Sequence, residues 1–179
     1  MGAPTMTDLQ HQGLNGLTIP GRILKFLEQH ANVGFAGTRS RELVPYGHRV
    51  SGWLIEARRS TLTALIAESS TANLVESLQD NGEFALTVEE FPSHETYQFK
   101  GQYVSHRAIE PEDLEVADRT RRRFLKSVRH LYPDSLGPLL NSLFQTPGVA
   151  VEFEVREIFL QTPGPAAGTR LAPPSQEVP

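Results

Sequence analysis

The chain has 179 residues, no cysteine and a formal charge of 17 − 21 = −4. The missing cysteines exclude disulfides, thiolate metal sites and a cysteine nucleophile, and the charge gives no global reason to expect nucleic acid. Its length suits one domain that buries roughly 68–75% of the surface its unfolded form exposes. No apolar run nears the ~18 residues of a membrane span, and MGAPTMTDLQHQG lacks the basic-then-apolar pattern of an export signal; the reading is a cytoplasmic protein that binds no membrane.

Residues 1–18 are polar and Gly-rich and read as a loose arm. In IPGRILKFLEQH, Pro20 starts a helix that puts Ile23, Leu24 and Leu27 on one face. The period then changes: ANVGFAGT, VPYGHRVSGWLIE and STLTALIAE alternate as strands, parted by the turn-like TRSREL and ARRS. SSTANLVESLQDNG reads as a helix, with hydroxyls to cap its start, Leu74 and Leu78 one turn apart, and Asn81-Gly82 to stop it. EFALTVEEF and ETYQFKGQYVSHRAI resume the strands across Pro92-Ser93. Pro111 opens another helix, acidic in its first turn, with Leu114, Ala117, Phe124, Val128 and Leu131 at helical spacing. GVAVEFEVREIFL is a sixth strand, and residues 163–179 form a Pro/Gly/Ala-rich tail without regular structure. Six strands and few helices predict a mainly β domain over 19–162, an antiparallel barrel with flanking helices.

Most familiar chemical motifs are absent. There is no G-x-G-x-x-G, Walker loop, H-E-x-x-H or G-x-S-x-G. The six histidines are scattered without ligand spacing, so no metal site is expected. In the basic run RTRRRFLKSVRH, Arg119 and Arg122 follow Glu115 and Asp118 by four residues, which reads as ion pairing on a solvated helix face.

Four stretches in this order carry a resemblance: PYGHRVSGW at 45–53, SSTANL at 69–74, TYQFKG at 96–101 and IFLQTPGPAAG at 158–168. Over roughly residues 19–162 the chain resembles the FMN-binding split barrels related to pyridoxamine 5'-phosphate oxidase. The resemblance implies a six-stranded antiparallel split barrel, a homodimer, and one FMN in each groove between the two chains. The resemblance makes His48, Arg49 and Val50 a cofactor-binding stretch, in which Arg49 matches the arginine that follows the family's proline on the second strand and becomes the phosphate cation. Ser69, Ser70 and Thr71 supply hydroxyls at a helix start, where anions are favoured. Family members commonly carry a Lys or Arg in that turn and SSTAN has none, so either Arg49, alone or with Arg58, Arg59 or Arg170, compensates, or flavin binding is weak or altered.

TYQFKG alternates, placing Thr96, Gln98 and Lys100 on one face. The resemblance turns that face toward the flavin, with Thr96 or Gln98 standing for the family's ring-contacting glutamine and Lys100 offsetting charge on a reduced flavin. Tyr46, His48 and Tyr103 are candidate proton donors, and no catalytic residue is assigned. The C-terminal Trp, Arg and His of true pyridoxamine 5'-phosphate oxidase are missing from TRLAPPSQEVP, so that substrate is not inherited. Three readings follow: an FMN-dependent oxidoreductase on a small molecule, aromatic or nitro, with NAD(P)H as a candidate donor; a haem-binding or haem-degrading relative; and a non-catalytic flavin-binding or sensory module.

Overall fold

The computed structural model describes residues 17–29, 32–56, 60–71, 73–133 and 136–172. Its elements run α1 (Gly21–Gln29), β1 (Asn32–Arg39), β2 (Pro45–Glu56), β3 (Thr61–Ala67), a 3-10 turn (Glu68–Ser70), α2 (Leu74–Asn81), β4 (Glu83–Glu90), β5 (Glu95–Arg107), α3 (Pro111–Val128), α4 (Gly137–Asn141), β6 (Pro147–Leu160) and β7 (Arg170–Ala172). The strands lie in the order β3-β2-β1-β4-β5-β6-β7, all neighbours antiparallel, and β6 also pairs with β3. The first six therefore close into a barrel, and β7 is an extra strand outside the closure. The mainly β, six-stranded expectation is met.

Closure depends on the length of β6. Its residues Pro147 to Glu154 pair with β3, and Ala150 to Leu160 pair with β5. Beyond Glu154 it leaves β3, and its freed edge takes β7 at Ile158 and Phe159. This places a strand inside the stretch 163–179 that the sequence reading left irregular, because a released strand edge offers unpaired N–H and C=O groups to the chain beside it. Residues 1–16 and 173–179, the bulk of the expected arm and part of the expected tail, lie outside the described residues. Leu17 is buried, and its carbonyl accepts a hydrogen bond from Ser60 Oγ, so buried residues begin two positions before 19.

The interior is filled by Leu62, Leu86, Phe99, Phe153 and Ile158, all fully buried. α1 covers the end of the barrel where β1 begins: Ile23, Phe26 and Leu27 are buried, and the Phe26 ring meets Tyr97 edge-on at 4.9 Å. Asn32 Nδ2 and Trp53 Nε1 donate to the carbonyls of Phe26 and Leu27, satisfying acceptors that a helix end leaves free. α2 sits where β1 ends, with Leu74 and Leu78 buried and Asn81 Nδ2 donating to the Arg39 carbonyl. It stops at Gly82, whose φ of 67° is the left-handed conformation read from Asn81-Gly82.

Two local expectations are corrected. No hydroxyl caps α2: its cap residue is Asn73, without a side-chain cap bond, because the hydroxyl stretch is spent on the 3-10 turn before it. On α3, Phe124 and Val128 are buried while Leu114 is exposed, as is Leu131 beyond the helix end, since the helix lies across β2 with Val116, Ala117 and Thr120 against Gly52. α3 begins with a reciprocal capping box between Glu110 and Asp113. Arg107 clamps the buried Asp113 at 2.5 and 3.0 Å, and this guanidinium holds the Asp113 carboxyl below its ordinary range.

Candidate functional site

Directly opposed residues on neighbouring strands share a face, so the registers show what the outside of the barrel gathers. Arg49 of β2 faces Phe35 of β1; Phe35 faces Thr87 of β4; Thr87 faces Gln98 of β5; Gln98 faces Phe159 of β6; and Phe159 faces Arg170 of β7. One outward row thus runs Arg49, Phe35, Thr87, Gln98, Phe159, Arg170. Arg49 and Gln98 stand three strand spacings apart, roughly 14 Å at ~4.8 Å each. Beside this row Gly47, Gly37 and Ala85 are mutually aligned and nearly without side chains, followed by Lys100. The surface there is flat, and Phe35, 53% exposed, stands out of it.

β1 has its larger side chains outside. Gly34, Ala36 and Thr38 face in, while Val33 and Phe35 face out. The cause is Trp53: a Cβ on Gly34 would lie 3.1 Å from its ring and 3.2 Å from Val50 Cβ, so the interior at β1 is already full.

The residues singled out from the sequence divide in two. Val50 is a core side chain, 5% exposed. His48 is buried, with Nε2 2.8 Å from Thr38 Oγ1 and Nδ1 2.9 Å from the Ser70 carbonyl. A carbonyl only accepts, so Nδ1 carries the proton and Nε2 accepts from the Thr38 hydroxyl. Burial pushes the His48 pKa down and keeps the ring neutral. Ser69 Oγ donates to Gln145 Oε1, and Thr71 Oγ1 donates to the Glu68 carbonyl. Thr96 is buried, its hydroxyl spent on the His94 carbonyl and its N–H on Thr162 Oγ1.

The others keep capacity. Ser70 Oγ accepts from the Arg49 N–H at 3.4 Å, joining the 3-10 turn to the Arg49 strand, and among the described residues its own proton has no acceptor. Arg49 is half-buried, and among the described residues its guanidinium has no ion pair. Gln98 Nε2 donates to Thr87 Oγ1 at 3.2 Å, and its Oε1 lies 3.5 Å from Gln161 Nε2, so the amide is oriented while keeping a second donor and a second acceptor position. Lys100 Nζ lies 4.7 Å from the centroid of the Phe159 ring. Arg170 is paired with Glu157 at 3.1 Å, while Arg58 and Arg59 lie outside the described residues. Of the candidate proton donors, Tyr103 Oη is 2.5 Å from His106 Nδ1, away from the row.

Arg49 also lines an apolar cavity of about 170 Å³ with Phe35, Glu89, Phe91, Phe124 and Phe144. Phe35, Thr87 and Phe159 belong to the site and were missed. Alternation alone could not assign Phe35 outward, because its face is the more apolar one.

No protein-family model matches the chain, and no curated protein matches it in sequence. Solved structures do. HupZ of Group A Streptococcus is 12% identical, over 84% of this chain and 99% of that one, with a TM-score of 0.50. A protein from Clostridium acetobutylicum, related to general stress protein 26 and described as of the pyridoxinephosphate oxidase family, is 11% identical over 86% and 92%, at 0.45. An FMN-binding protein from Syntrophomonas wolfei is 13% identical over 70% and 74%, at 0.40. The likeness to HupZ is one of fold, and the closed six-stranded barrel agrees with the split-barrel resemblance read from the order of motifs.

Proposed function

We propose that this chain binds FMN on its outward sheet face, as a homodimer, and serves as an FMN-dependent oxidoreductase for a small molecule. The observation that carries the reading is the row itself: an uncommitted guanidinium at one end, an oriented carboxamide three strands away, and a nearly side-chain-free surface beside them. The donor set fits the group. Arg49 and the free Ser70 hydroxyl suit a phosphate, which carries roughly −1.5 to −2 charge by analogy with phosphorylated side chains. Gln98 can both donate to and accept from the edge of a flavin ring, and Lys100 places positive charge one pair along the strand.

FMN, when bound, supplies hydride or single-electron chemistry. The chain's own residues anchor, orient and balance charge: Arg49 and Ser70 fix one end, the Thr87 hydroxyl holds Gln98 in its rotamer, and His48 braces the turn that presents Ser70. No side chain is assigned a proton-transfer role. His48 and Val50 support the strand, Ser69 and Thr71 support the turn, and Thr96 supports the end of β5. NAD(P)H is the electron donor to assay first.

Titrating apo-protein with FMN and with riboflavin tests the reading. Arg49→Ala should weaken FMN at least tenfold, the scale of roughly 1.5–3 kcal/mol for a charge-assisted hydrogen bond. Riboflavin, which has no phosphate, should weaken far less, and Arg122→Ala should change neither. Equal loss for both ligands would remove Arg49 from the phosphate end.

A further inference from the structure

The basic run of α3 is divided by the helix it forms. Arg121 and Arg122 share Asp118, at 2.5 and 3.1 Å, and Arg121 also donates to Asn141 Oδ1. Arg119 and Arg123, one turn apart, are different: among the described residues neither has a carboxylate partner, and the expected pairing of Arg119 with Glu115 does not form. Arg123 Nη1 instead donates to the Glu28 carbonyl at the end of α1. Like charges one turn apart on a helix repel, so this pair is held together uncompensated.

Both arginines line a cleft of about 470 Å³ between α1, α3 and β2, within the size range of small-molecule sites. The β2 wall is apolar, made of Trp53, Leu54 and Ile55. Glu28 is the one carboxylate among the described lining residues, and no ion pair joins it to either arginine. The cleft shares no lining residue with the cavity beside Arg49.

We propose that this cleft is a second binding site, for a small phosphate monoester with an apolar body. Two guanidinium forks one turn apart match a dianionic group with three acceptor oxygens, whereas a single carboxylate is satisfied by one fork. The phosphate rests on Arg119 and Arg123, and the body lies along Leu54, Ile55 and the edge of Trp53. Binding removes the repulsion between the arginines and draws the end of α1 toward α3 through Arg123.

Trp53 is the chain's single tryptophan, so its fluorescence reports directly on the cleft. Phenyl phosphate should give a saturable change in the wild-type protein, inorganic phosphate should displace it, and phenol should bind at least tenfold more weakly. Arg119→Gln should weaken phenyl phosphate at least tenfold, with Arg122→Gln and Arg49→Ala close to wild type. An absent or unsaturable signal, phenol binding as well as phenyl phosphate, or loss in Arg49→Ala with retention in Arg119→Gln each overturns the proposal. The wild-type comparison of phenyl phosphate with phenol decides the matter even if Arg119→Gln fails to fold.

Discussion

Both ring nitrogens of His48 are committed inside the fold, one to a carbonyl that dictates the tautomer and one to a threonine hydroxyl. Its folded pKa lies below the ordinary 6.5, chiefly through burial, with the Ser70 carbonyl pulling weakly the other way. The unfolded chain therefore binds a proton near pH 6.5 that the folded chain refuses. The stability this residue contributes is complete above 6.5 and is lost as the pH falls through the folded pKa. The urea midpoint should thus drop between about pH 7.5 and about pH 5.5 in the wild type. In His48→Gln the drop should be smaller, while stability at neutral pH falls by roughly 1–3 kcal/mol for the buried partners left unpaired. An unchanged pH slope in the variant would show that other groups carry the acid sensitivity.

At the scale of elements, the alternation in the sequence was enough to find six strands, because a half-buried strand writes its period into the residues. β7 wrote nothing: three residues, Arg-Leu-Ala, in a Pro/Gly-rich stretch have no period to read, and they are a strand because β6 leaves an edge there. The site was legible to the same depth. Period two put Thr96, Gln98 and Lys100 on one face, but which of them aligns with Arg49 depends on registers across four strands, while on its other side β5 meets β6 through an irregularity between Lys100 and Gly101. That irregularity is tight: a Cβ on Gly101 would sit 2.1 Å from the Glu154 carbonyl oxygen. Gly101→Ala must push β5 from β6, costing roughly 1–3 kcal/mol. Because Gln98 faces Phe159 across that same seam, the variant should also bind FMN less well. Thermal unfolding with an FMN titration checks both effects, and a variant as stable as the wild type would mean that the strands part there without cost.

For the whole molecule, the barrel buries its own core yet leaves Phe35 standing on a level, glycine-lined sheet face. The proposed homodimer covers that face. Phe35→Asp should then shift sedimentation toward the monomer and weaken FMN together, leaving the far-ultraviolet circular dichroism spectrum intact. A monomeric wild type that still takes up one FMN per chain would dispose of the shared groove.

The long strand β6 has a consequence for the order in which the chain acquires structure. It is the last of the six barrel strands to leave the ribosome, and it supplies the partner for both β3 and β5. Until it arrives, the five earlier strands form at best an open sheet with two unsatisfied edges, and about half of the chain must loop round to join β3 to β6. Such distant pairings are slow to nucleate. Barrel closure is therefore a late event of folding, and the half-made sheet, with the seams of β3 and β5 exposed, is the species most in need of protection from its own copies.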